Sequence, residues 1–139
     1  MQTRMKSSIA LKVVLVIAGL MFTGVGIFSL LAPVAFVARN GVDIAGNISL
    51  LNDVRGYGGV LLGGGLIILA GAFIRSLTFT SALLGAVLYL LFAIGRAVSF
   101  ALDGLPADTL VKATVVEFVV GLACLVVLLR FREKPAAAA

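Results

Sequence analysis

Two ionisable residues interrupt long apolar runs. Arg96 sits within "LYLLFAIGRAVSFALDG", residues 88–104, and Glu117 within "VKATVVEFVVGLACLVV", residues 111–127. Near the centre of a membrane helix, an arginine costs about 2.5–3.5 kcal/mol on insertion scales, so such a charge persists where something compensates it. The turn "DGLPAD", residues 103–108, separates the two runs. Arg96 lies about six residues, and Glu117 about nine, from that turn, which is roughly 9 and 13 Å along helices rising 1.5 Å per residue. Consecutive antiparallel spans therefore deliver the two side chains to similar depth, where opposite charges are expected to turn inward and pair. Such a pair retains spare guanidinium donors, so it can hold an anionic or carbonyl-bearing group, or gate an ion. The competing explanation, an arginine that reaches back to the interface along its apolar stem, does not account for the matching carboxylate.

Helical spacing adds neighbours to the pair. Tyr89, Phe92, Arg96, Ser99 and Asp103 recur at intervals of three and four residues and form one stripe. The stripe through Glu117 carries Ala113, Thr114, Gly121 and Cys124, small residues that let helix backbones approach. Upstream, "LNDVRGYGGVLLGGG" places Asn52, Arg55, Gly56, Gly59 and Gly63 on one face. Asn52 and Arg55 are expected to join Arg96 and Glu117 in a polar cup, with Tyr89, Ser99 and Asp103 as secondary members. Gly56, Gly59, Gly63, Gly121, and Gly19 with Gly26 further upstream, are expected to pack helices together. The glycine run is no phosphate loop, since it lacks the Gly-Lys-Ser/Thr ending and follows no strand.

These side chains need four helices to position them. Of the 139 residues, 62% are hydrophobic and 12% charged, about half the charge a water-soluble domain carries. Apolar blocks long enough to cross a bilayer, which takes about 20 helical residues, cover about 11–32, 49–74, 77–102 and 108–129. Pro33 ends the first, and Asp108 or Thr109 is the expected N-cap of the fourth. Short links force antiparallel neighbours. The expected fold is an all-α integral membrane four-helix bundle, up-down-up-down, forming one transmembrane domain over 1–139. Residues 33–48 are expected to form an ordered loop or short interfacial segment over one mouth. Residues 130–139 read as a basic, then disordered, tail.

Arg4, Lys6, Lys12, Arg75, Arg130, Arg132 and Lys134 fall on one side of this arrangement, against Arg39, Arg55 and Lys112 on the other. That bias predicts cytoplasmic N- and C-termini in a bacterial inner membrane. The first apolar block is longer than the 7–15 residues of a signal peptide core, so it is expected to stay as a span. The net charge of +5 follows membrane topology rather than a nucleic-acid groove. There is no histidine, and Cys124 is the single cysteine. A metal site, a cofactor and thiol relay chemistry are not expected; Cys124 reads as a small packing residue.

The pieces "LNDVRGYGGVLLGGG" and "GRAVSFALDGLP", followed by a glutamate in the fourth span, resemble the bacterial membrane family called domain of unknown function 4345. That family is similar to the wider DoxX-like group of small four-helix membrane proteins. The resemblance runs from about Leu11 to Arg130. By position, the family pattern falls on Asn52, Arg55, Gly56, Gly58, Gly59, Gly95, Arg96, Asp103, Gly104 and Glu117. Quinone-linked redox roles are associated with some DoxX-like relatives, but this chain lacks the histidines and cysteine pairs such chemistry would use. The expected function is non-enzymatic: a bundle that binds membrane lipid, a hydrophobic or anionic small molecule, or a partner subunit, with self-association as a further option. The alternative is a transporter or ion-pathway component in which Arg96 and Glu117 gate a proton or anion.

Overall fold

The computed structural model describes Met5 and residues 8–132. In chain order it holds α1 (Ile9–Leu31), α2 (Pro33–Ala38), α3 (Ile48–Ala70), α4 (Thr78–Asp103) and α5 (Asp108–Phe131). All but the short α2 are long and apolar enough to cross a membrane, and the protein is a small all-α multi-pass membrane bundle. Most of the segment expected to be a disordered tail, residues 133–139, lies outside the described residues.

The outside of the bundle is as apolar as its inside. On α1, Ile9, Val13, Ile17, Leu20, Ile27 and Leu31 face outward, whereas Leu11, Leu15, Ala18 and Phe22 are buried. Both stripes follow the helical repeat, so lipid solvates one and neighbouring helices the other. Because hydrocarbon surrounds the helices, apolar burial does not drive them together. Close packing and hydrogen bonding must do so.

Glycine supplies that close packing between α1 and α3. A side-chain carbon added at Gly19 would come within 2.6 Å of the Leu69 backbone nitrogen, and one at Gly65 within 2.5 Å of that of Thr23. A carbon at Gly26 would overlap the Leu62 nitrogen, and one at Gly58 would lie 2.6 Å from Ser29 Oγ. The two helices therefore run antiparallel with their backbones almost touching. On α4 and α5 the same device is sparser: Gly121 lies against Leu90, and Gly85 against the Cys124 sulfur. The molecule consists of two tight pairs, α1 with α3 and α4 with α5, joined along looser seams between α3 and α4 and between α1 and α5.

The packing face expected on α3 is corrected. Beyond its own stretch of helix, nothing among the described residues lies within 4 Å of a carbon added at Gly56, Gly59 or Gly63. The buried face is instead Gly58, Leu61, Gly65 and Ile68. Gly59 is one residue from Gly58, about 100° round the helix. Two interleaved glycine stripes occur in this run, and the stripe selected is the one complementary to Gly19, Thr23 and Gly26 on α1.

The ends are fixed by specific bonds. The near end, which holds the start of α1 and the turn between α3 and α4, is stitched by two hydroxyls. Thr78 Oγ1 donates to the Gly71 carbonyl at 2.9 Å, and Ser81 Oγ to that of Ile67 at 2.7 Å. Both bonds tie α4 to the C-terminal end of α3, which stops at Ala70 rather than near Ile74. At the far end, Pro33 starts α2 directly after α1, and Gly41 and Gly46 adopt φ of 77°, a left-handed conformation that glycine takes at little cost. Asn47 caps α3 by accepting from the Leu50 N–H at 3.1 Å. The N-cap of α5 is Ala107, with no side-chain cap, and Asp108 begins the helix. Thr109, expected as a cap, is used otherwise: its hydroxyl donates to Asn40 Oδ1 at 2.8 Å. The first connection is thus an ordered segment, as expected, with the short helix α2 at its start; it forms a lid fastened to the start of α5.

Candidate functional site

Arg96 and Glu117 meet because of the register between α4 and α5. Gly85 faces Cys124 and Gly121 faces Leu90. Continuing along the antiparallel pair brings Arg96 opposite Glu117, one turn from Gly121. Arg96 Nη2 donates to Glu117 Oε1 at 3.3 Å. Arg96 Nε lies 3.0 Å from Oε2, closing the ion pair, and both atoms are shielded from solvent. The side chains are 22% and 14% exposed, enough shielding to strengthen their attraction well beyond that of a surface pair. The guanidinium also lies 5.6 Å from the Phe92 ring centroid, a favourable placement over the electron-rich face.

The pair forms part of the wall of a cavity of about 320 Å³ at the far end, between the two helix pairs and beneath α2. Its floor is aromatic. Phe22 of α1 and Tyr89 of α4 stack with centroids 3.9 Å apart and planes inclined by 18°. The Tyr89 hydroxyl crosses to α1 and donates to the Ala18 carbonyl at 2.7 Å. Phe92 sits 5.6 Å from Tyr57 and 6.3 Å from Phe22. The lid supplies Phe36, and Arg39 closes the mouth. The Arg39 guanidinium lies 4.8 Å from the Phe28 ring centroid and 5.2 Å from that of Phe36, and its Nε donates to the Phe36 carbonyl at 3.4 Å. Lys112, on the second turn of α5, adds another cation to the lining. Chemically this is an amphipathic chamber: aromatic below, polar above, with Arg39, Arg96 and Lys112 set against one carboxylate, Glu117.

A second hollow of about 310 Å³ adjoins the first and shares Phe36, Asn40, Tyr57, Arg96 and Leu110 with it; Asp53 and Val54 complete its wall. It lies beneath the lid, between α3 and the facing ends of α4 and α5. A smaller hollow of about 240 Å³ at the near end includes Lys12 and Arg75. Among the described residues no cluster of side chains suited to a metal ion occurs.

Of the residues expected in the polar cup, Arg96, Glu117 and Tyr89 line the cavity; Asn52 and Arg55 do not. Arg55 is exposed, and its Nε donates to the Leu30 carbonyl at 3.3 Å. It therefore serves the C-terminal end of α1, where a cation meets leftover carbonyls and the negative end of the helix dipole. Asn52 is exposed on the same outward sector of α3. Their displacement has the same cause as that of Gly56, Gly59 and Gly63: α3 presents another face to the bundle. Ser99 and Asp103 bond to each other at 2.9 Å on an exposed stretch of α4 and are not cavity residues either. Tyr57, Arg39 and Lys112 take the places expected of Arg55 and Asn52. Tyr57 was visible beside Gly58 in the glycine run, but Arg39 becomes interpretable only once α2 folds back over the mouth.

A family model described as domain of unknown function (DUF4345) matches residues 10–128, most of the chain, and the protein belongs to that family. No curated protein and no solved structure matches it.

Proposed function

We propose that this member of the DUF4345 family is a non-enzymatic membrane protein whose far-end cavity binds an amphipathic molecule, either a lipid or a small hydrophobic compound. The observation that carries this reading is the chamber itself: about 320 Å³, with an aromatic floor and a wall that carries Arg39, Lys112 and the Arg96–Glu117 pair. A mostly apolar concavity with a few convergent polar groups is the usual form of a small-molecule site. The transport alternative receives less support. Below the Tyr89–Phe22 stack the core continues through Leu15, Leu11, Ile68, Ala82 and Cys124, all nearly fully buried and apolar. The cation bias in the sequence supports cytoplasmic termini, which would open the cavity toward the outer leaflet of an inner membrane.

Native mass spectrometry of the extracted protein, with its lipids retained, tests the reading. The expected result is a bound small molecule on the parent chain that is lost in Ala113→Trp, where an indole fills the cavity. A parent protein with no bound molecule, or an adduct indifferent to Ala113→Trp, would overturn it.

A further inference from the structure

Resting on that cavity-binding reading, we infer that the occupant is a single-chain amphiphile with an anionic head, a carboxylate or a phosphate, and that Arg39 anchors the head. Three observations converge. The first is charge. Glu117, the single carboxylate lining the chamber, is already matched by Arg96. Arg39 and Lys112 also line it, and neither has a carboxylate within ion-pair distance among the described residues. The second is preorganisation. Arg39 is exposed, yet its guanidinium is held against Phe28 and Phe36 and by the bond from Nε to the Phe36 carbonyl. An arginine already fixed in place loses little side-chain freedom when an anion arrives, and its remaining nitrogens suit the two oxygens of a carboxylate or phosphate. The third is size. A volume of about 320 Å³ is at the small end of the roughly 300–1,000 Å³ range of ligand pockets, which suits one chain or ring rather than a two-chain phospholipid.

The adjoining hollow gives the chain a route. It continues from the chamber past Phe36 and Tyr57 to Asp53 and Val54 on α3. A single chain can extend into it while the head stays at the level of Arg39.

Chains of one length with different heads separate these elements. The full-length protein, in nanodiscs of zwitterionic phosphatidylcholine at mildly alkaline pH, is titrated with radiolabelled laurate, dodecyl phosphate, dodecanol and dodecylammonium, and partition into empty nanodiscs is subtracted. The better of laurate and dodecyl phosphate is expected to bind at least about tenfold tighter than dodecanol, with dodecylammonium weakest. Laurate in first place assigns a carboxylate head, dodecyl phosphate a phosphate head. Arg39→Gln is expected to shrink the anion advantage to below about threefold while leaving dodecanol binding unchanged, which also shows that the variant is folded. Arg55→Gln, outside the cavity, is expected to keep the full advantage. Equal binding of the anions and dodecanol would overturn the anionic head and leave the cavity-binding reading intact. Tightest binding by dodecylammonium would do the same and transfer the head to Glu117 or Asp53. Displacement of the bound anion by dipalmitoyl phosphatidate at equal concentration would overturn the single-chain requirement. No binding of any probe above empty nanodiscs would overturn both readings.

Discussion

Glu117 reaches Arg96 because Gly121, one turn along the same face of α5, lets Leu90 of α4 lie against the α5 backbone. A side-chain carbon at position 121 would come within 2.8 Å of the Leu90 side chain and 3.0 Å of its backbone nitrogen. Gly121→Leu should therefore part α4 from α5 and lengthen the ion pair. Overpacking of this kind costs about 1–3 kcal/mol, to be read as a lowered unfolding midpoint in mixed micelles. An unchanged midpoint would mean that the register is set elsewhere.

The ion pair itself should behave as a unit. Removing one member leaves the other as an uncompensated, partly buried charge. Arg96→Met is expected to cost about 2–4 kcal/mol, below the upper range for fully buried pairs because both groups retain some exposure. The double change Arg96→Met with Glu117→Leu should recover much of that loss. A double-mutant cycle in micelle unfolding measures the coupling, expected at about 1–3 kcal/mol; a coupling near zero would show that the contact holds nothing together.

Tyr89 joins the two helix pairs through one hydroxyl. Tyr89→Phe keeps the ring on Phe22 but removes the bond to the Ala18 carbonyl. The expected loss is about 0.5–1.5 kcal/mol, whereas Tyr89→Ala, which also empties the floor of the cavity, should cost about 3–5 kcal/mol. Thermal unfolding of the two variants side by side checks the ranking, and equal losses would contradict it.

Among the described residues, one side-chain hydrogen bond ties the lid to α5. Thr109→Val removes the donor to Asn40 at nearly constant volume. Amide exchange over residues 33–47 should then rise about two- to tenfold, as expected from losing about 0.5–1.5 kcal/mol, with α1 and α4 unaffected. Hydrogen–deuterium exchange with peptide resolution measures it. Exchange unchanged over 33–47 would place the restraint on the lid elsewhere.

The two glycine stripes of α3 give opposite expectations. Gly58→Leu and Gly65→Leu drive a side chain into the facing α1 backbone and should prevent stable insertion or folding. Gly59→Leu and Gly63→Leu point into open space and should be tolerated within about 1 kcal/mol. Detergent-resistant monomer yield distinguishes the two sets.

This contrast also shows how far the sequence could be read. The spans were legible because lipid demands uninterrupted apolar length, and the Arg96–Glu117 pair because a short turn fixes the depth of both residues. The face of α3 was not legible. Glycines at 56, 58, 59, 63 and 65 satisfy two helical stripes at once, and only the partner surface on α1 chooses between them. Arg55 and Asn52 followed the wrong stripe. The mouth was hidden for another reason: Arg39 is separated in sequence from every other cavity charge, and its role depends on where a six-residue helix happens to fold.

The uneven packing of the bundle has a mechanical consequence. Each tightly interlocked pair acts as a stiff jaw, and the hydroxyl stitches of Thr78 and Ser81 act as a hinge close to one end. Opening by about five degrees, over the roughly 35 Å that 23 helical residues span, widens the opposite end by about 3 Å while the hinge scarcely shifts. Such an opening changes the volume of the chamber, and the contacts that resist it are mainly Tyr89, the lid latch and the few along the seams.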